Sequence, residues 1–183
     1  SRNSRNRRRI SIMVYHSKLA KKAAQKPKFI STKVFDGYST VFRQWKAETT
    51  HCKFLHGYGI SFKLWFEGDL DERNWVWDFG GMKRAKGKIG GKSPKEWFDY
   101  MFDHTLIVAN DDPFKDSFLR MGEVGVAQVR IVDSVGAERF AEFIYNKVNP
   151  FIVKETENRV KIIRVEFKEH GKNSAIYEPE QSY

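Results

Sequence analysis

Residues 58–67 constrain the fold more than any other stretch of this chain. Tyr58, Ile60, Phe62, Leu64 and Phe66 alternate with Gly59, Ser61, Lys63, Trp65 and Glu67. One face is aromatic and aliphatic, and the other carries charge and small side chains. Such alternation matches the two-residue repeat of a β-strand rather than the repeat of a helix. A strand that is apolar on one face only belongs to a sheet covered on one side, which is an antiparallel arrangement.

The remaining elements are read around that strand. Phe29 to Phe42 mixes aromatic, β-branched and small residues and reads as a preceding strand, with residues 43–55 as a loop. Gly68-Asp69 breaks the central strand, and Trp75 to Phe79 reads as a short extended return. Residues 80–92 are glycine-rich and basic but lack the spacing of a phosphate-binding loop, so a solvated flexible insertion is expected there. Ser93-Pro94-Lys95-Glu96 has the form of a helix start, with N-cap Ser, Pro at N1 and Glu at N3. Trp97, Met101 and His104 follow at helical spacing. Residues 109–133 read as a long connection with an apolar alternating piece from Val124 to Val132. Ala137, Phe140, Ala141, Ile144, Tyr145 and Val148 line one face of a second helix, which Asn149-Pro150 is expected to stop. Val160 to Phe167 reads as a strand with Ile163, Val165 and Phe167 on one face and Val160 and Ile162 on the other, and Ser174 to Glu178 as a shorter extended piece. The order is β-β-α-α-β-β, an α+β chain without internal repeats.

Charge divides the chain into two parts. The net charge is +10, yet residues 1–28 hold ten Lys or Arg and no acid. The other 23 basic residues match the 23 acidic ones, so the body at 29–183 is formally neutral and nucleic-acid binding is not expected of it. The Arg- and Ser-rich tail fits a basic arm or an organellar transit sequence. With Met13 a plausible start, residues 1–12 are read as vector-derived or upstream sequence. Ile10 to Tyr15 is too short an apolar core for a secretory signal, and no apolar run approaches the roughly 20 residues of a membrane span. One cysteine permits no internal disulfide and suits a reducing compartment, so a cytoplasmic location is expected.

The chemistry-bearing residues lie around the central strand. Cys52-Lys-Phe-Leu-His56-Gly57-Tyr58 opens it, Asp103-His104 follows about fifty residues later, and Glu169 stands eight residues before Tyr177. This order and spacing resemble the 6-pyruvoyl- and 6-carboxy-tetrahydropterin synthases, whose pattern reads Cys-x3-His-Gly-His, then Asp-His, then Glu-x7-Tyr. The resemblance covers roughly residues 29–180, outside the tail and insertions near 84–94 and 115–133. It implies the tunnelling fold: a four-stranded antiparallel sheet with both helices on one face. Its edges would pair between subunits into a barrel, giving a homo-oligomer that is a trimer or a dimer of trimers.

The resemblance also implies roles. Cys52 stands where the family's proton-accepting cysteine does, and Asp103 and His104 where its proton-transfer pair does. Glu169 stands at the carboxylate that anchors the pterin, a role suited to two oxygens facing adjacent N–H donors. His170 replaces the usual threonine, and Glu138 matches a family glutamate, with Ala137 where Thr or Ser is usual. The metal set is where the chain departs. The family holds zinc with three histidines, whereas here Phe42 occupies the first position, His56 keeps the second and Tyr58 occupies the third. A site rebuilt with His51 or Cys52 is a minor alternative. No cofactor is therefore expected.

Three functions follow. The chain could bind a pterin or related heterocycle with weak or no synthase activity; it could be an active lyase acting on 7,8-dihydroneopterin triphosphate; or it could be an oligomeric scaffold whose basic tail recruits an acidic partner or nucleic acid. Retention of Cys52, Asp103 and His104 disfavours the scaffold, and loss of two ligands disfavours the lyase.

Overall fold

The computed structural model describes residues 28–181, so the expectations for the basic tail at 1–28 lie, apart from Lys28, outside the described residues. β1 (Phe29–Phe42) and β2 (His56–Gly68) form a long antiparallel hairpin whose loop contains a single 3-10 turn, His51–Lys53. The short α1 (Gly81–Arg84) and then α2 (Pro94–Phe102) follow. β3 (Thr105–Ala109), α3 (Lys115–Glu123) and β4 (Val129–Val132) come next. The chain finishes with α4 (Ala137–Glu155), β5 (Val160–His170) and β6 (Asn173–Tyr177). The strands make one six-stranded sheet in the order β4-β3-β1-β2-β5-β6. Among the described residues no helix is long and apolar enough to cross a membrane.

The expected α+β class and four-stranded antiparallel sheet are present as β1-β2-β5-β6. Two further strands enlarge the sheet. β3 joins β1 in parallel through Thr40 and Val41, and β4 joins β3 in parallel. Residues 109–133 are therefore not a plain connection. β3 is buried along its whole length, a continuous apolar run whose alternation is absent because both faces are covered.

The central alternation holds: Ile60, Phe62, Leu64 and Phe66 are buried while Ser61, Lys63, Trp65 and Glu67 are only partly so. α2 and α4 cover the buried face. Phe62 packs against Phe98 and Phe102 of α2, and Phe167 of β5 packs against Phe102 and against Phe140 of α4. α2 begins as expected, with Ser93 and Glu96 forming a reciprocal capping box and Pro94 in the first turn. A β-bulge in β1 places Asp36 and Gly37 opposite a single residue of β2, and Gly37 takes φ +82, which a side chain would resist.

Several local expectations are corrected. Opposite Trp65 and Phe66 of β2 the register of β5 slips, leaving Ile163 as an extra residue. That bulge turns Val160 and Ile162 to the side of Val165 and Phe167, and all four are buried. Pro150 does not stop α4, which continues to Glu155. Burial of Phe151 and Ile152 outweighs the lost backbone bond, and the Asn149 side chain accepts the Ile162 N–H at 2.8 Å. Trp75–Phe79 forms no strand; Val76 and Trp77 are instead buried, with Trp77 stacked on Phe66. The glycine-rich stretch is no solvated insertion either, because Met82, Ala85 and Ile89 are buried in the core.

A buried ion pair joins the ends of β1 and β3. Arg43 Nε and Nη2 donate to Asp112 Oδ2 and Oδ1 at 2.8 and 2.7 Å. The Asp112 side chain is 1% exposed. Hydrogen bonding from Arg43 holds its carboxyl below the usual range, against the opposing effect of burial. A depressed carboxyl contributes stability that is complete above the unfolded pKa, about 3.9, and is lost as pH falls through the folded value. Asp112→Asn is expected to lower stability at pH 7 by about 3–5 kcal/mol. Urea midpoints should show the difference from wild type narrowing below about pH 4. In the aromatic layer, Phe167→Ala is expected to cost about 3–5 kcal/mol in the same urea assay. The exposed Val126→Ala should stay within about 0.5 kcal/mol.

Candidate functional site

The hairpin brings Phe42 directly opposite His56, and Thr40 opposite Tyr58. His56 and Tyr58, two residues apart on one strand, therefore share the face that Phe42 occupies. The Phe42 ring lies 5.4 Å from His56, 5.8 Å from Tyr58 and 5.1 Å from Phe140 on α4. Phe42 is only 1% exposed, so it closes the floor of the site. The Tyr58 ring stands edge-on to His56 at 5.2 Å and reaches His170 at the end of β5, 5.8 Å away.

His56 is held in one tautomer. Its Nδ1 lies 2.7 Å from the Phe54 carbonyl oxygen, which can only accept, so Nδ1 carries the hydrogen. In the neutral ring Nε2 is then left as an acceptor.

Glu169 is half-buried beside these rings. Burial pushes its carboxyl above the usual range and Glu138 adds to the rise, while His56 and His170 pull it down. Tyr58 is likewise raised, first by burial and then by the negative charges of Glu169 and Cys52. These effects identify Cys52, His56, Tyr58, Glu138, Glu169 and His170 as one electrostatic group drawn from the hairpin loop, β2, α4 and β5. Gly136, just before α4, has φ +115, and a Cβ there would come within 2.3 Å of Gln44 Nε2. The turn into α4 depends on glycine through this positive φ, whereas the Gln44 amide could swing aside.

Cys52 is exposed on the 3-10 turn; its N–H donates to Thr50 Oγ1 and its carbonyl accepts from Gln44 N at 2.8 Å. Asp103 and His104 follow α2, and His104 Nδ1 lies 2.9 Å from Asp103 Oδ1. His104 has φ +54, an uncommon conformation that turns the chain from α2 into β3 and leaves its side chain 77% exposed. Among the described residues, no hydrogen bond or ring contact joins this pair to Cys52, His56 or Glu169. Electrostatics link Cys52, His56 and Glu169 through Tyr58, while Asp103 and His104 hydrogen-bond to each other just before β3.

The sequence marks His170 and Glu138 only as a departure and a match; the fold brings Glu138 into the electrostatic reach of Glu169, beside which His170 already stands in the chain. Phe140 was read as core alone, yet its ring backs Phe42. No local signal marks that role, because it comes from the docking of α4 on the sheet. Among the described residues, no three His, Cys, Asp or Glu groups stand together as a metal-holding set.

The fold has counterparts among solved structures. The family described as 6-pyruvoyl tetrahydropterin synthase matches residues 31–180. Comparison with curated proteins finds no match. An uncharacterized protein from Wolinella succinogenes shares the fold with a TM-score of 0.68 and 21% identity, covering 85% of this chain and 100% of the other. The 6-pyruvoyl tetrahydropterin synthase of Caenorhabditis elegans superposes with a TM-score of 0.55 at 15% identity, covering 85% of this chain and 99% of that one. That of Plasmodium falciparum gives 0.55 at 14%, covering 81% and 96%. At these identities the structural likeness speaks for the fold, while the family match spans most of the sequence. The chain belongs to the 6-pyruvoyl tetrahydropterin synthase family.

Proposed function

We propose that this protein binds a pterin or a related nitrogenous heterocycle at subunit interfaces and has weak or no synthase activity. The observation that carries the reading is Glu169, a half-buried carboxylate set beside the rings of Tyr58, His56 and His170. A pterin presents adjacent ring N–H and amino donors that two carboxylate oxygens accept together. Its flat ring gains further from contact with aromatic side chains.

The donor set does not fit the zinc ion of the family. A phenyl ring has no lone pair to offer at position 42, and a phenol at position 58 is a poor neutral ligand. One imidazole alone does not supply the three protein ligands of a catalytic zinc. Phe42 is also packed from behind by Phe140, so its ring fills the space a ligand and ion would need. Cys52, Asp103 and His104 remain the candidates for moving protons, but the step they would serve lacks the Lewis acid that makes such a C–H acidic.

Homo-oligomerisation follows from the open edges. β3 covers β1 only at Thr40 and Val41, so Phe29–Ser39 has no partner on that side among the described residues. Phe29, Ile30 and Val34 are exposed along it. A long apolar edge strand calls for a pairing strand, and β6 of a second copy supplies one in a trimer or a dimer of trimers.

Calorimetry with a pterin should show binding by the wild type and at least a ten-fold loss of affinity in Glu169→Ala; equal affinity removes Glu169 as the anchor. With 7,8-dihydroneopterin triphosphate, turnover should be absent or weak, and elemental analysis of protein purified without chelator should find less than stoichiometric zinc. Brisk turnover with one zinc per chain would favour the active lyase instead.

A further inference from the structure

The loop that carries Cys52 is tied down from one side by two consecutive carboxylates on the connection between β3 and α3. Asp112 takes both faces of the Arg43 fork, and its Oδ1 also accepts the Phe114 N–H at 2.8 Å. The third nitrogen of the same guanidinium, Nη1, donates to the Lys53 carbonyl at 3.1 Å. Asp111 accepts from Trp45 Nε1 at 3.1 Å and pairs with Lys46 at 3.0 Å. The Arg43 guanidinium also lies over the rings of Phe114 and Phe118 at 5.4 and 5.8 Å. Inside the loop, the bond from Gln44 N to Cys52 O closes the turn that Arg43 holds from its other end.

We infer that Arg43 and Asp112 are positioning residues that latch the Cys52 turn beside Tyr58 and Glu169. Arg43 suits this because its planar fork satisfies a carboxylate with two nitrogens and leaves a third for the loop backbone; a lysine cannot do all three. Asp112 orients the fork and Arg43 orients the turn, so neither needs to touch a ligand. The significance of Cys52 in this arrangement rests on the pterin-site reading above; the latch itself does not.

The test uses the full chain, in which Cys52 is the sole cysteine. A double variant, Arg43→Met with Asp112→Leu, replaces the buried pair by apolar side chains of similar bulk and so preserves folding better than either single change. Arg43→Lys keeps the charge without the fork. Hydrogen exchange should speed at least ten-fold at the Gln44 and Phe54 amides of the double variant, with the Ile60–Phe66 amides of β2 unchanged. Alkylation of Cys52 by iodoacetamide, followed from pH 6 to 10, should differ from wild type by three-fold or more and match a short peptide of the Thr50–Phe54 sequence. Arg43→Lys should fall between the two. Unchanged exchange in the loop, an unchanged alkylation profile, or exchange that quickens equally throughout β2 would each overturn the latch. These readouts need no ligand, so a failure of Glu169→Ala to weaken pterin binding would sink the function and leave the latch standing.

Discussion

Everything else in this molecule depends on the layer of aromatic rings between the sheet and its two covering helices. Phe62 is the centre of that layer, with ring contacts to Phe35, Tyr38, Phe98, Phe102 and Phe167. Large flat side chains remove much apolar area from water and lose few rotamers in doing so, and their offset and edge-on packing is directional. The layer therefore does more than exclude water. It sets where α2 and α4 lie over β1, β2 and β5, and so where the ends of those elements meet.

The candidate site is an outgrowth of the same layer. Phe140 belongs to the core through Phe102 and Phe167, and to the site through Phe42. At this end of the sheet the aromatic packing gives way step by step to polarity: Phe42 is buried, Tyr58 and His56 are half-buried, and Glu169 brings a carboxylate beside the His170 ring. A carboxylate at such a boundary is poorly solvated but has cationic or polar neighbours within reach, which accounts for the opposing effects on Glu169. Phe42 extends the apolar core outward until it meets the rings of His56 and Tyr58.

Outside the aromatic layer, precision comes from polar ties between segments far apart in the chain. Arg43 and Asp112 are 69 residues apart, and Arg159 reaches back to the carbonyl oxygens of Asp69 and Val76. These ties hold loops between the regular elements. The Asp112 carboxylate is buried, so it depends on its partner more than a surface group does.

The amino-acid order alone established the central strand, the start of α2, the apolar face of α4, the α+β class and the family. Each is written in near neighbours: alternation for a half-buried strand, three- and four-residue spacing for a helix face, and short motifs at fixed separations for the family. The expected grouping of Phe42, Cys52, His56, Tyr58, Asp103, His104 and Glu169 is carried by resemblance rather than by periodicity. The tertiary structure decided what no window of sequence could. It added β3 and β4 in parallel, turned Val160 and Ile162 inward through a bulge at Ile163, and carried α4 through Pro150 because Phe151 and Ile152 have a core to enter. It also matched Arg43 to Asp112. The physical reason is common to all of these: burial and pairing between distant segments set the free energy of each choice, and local propensity is too weak to oppose them.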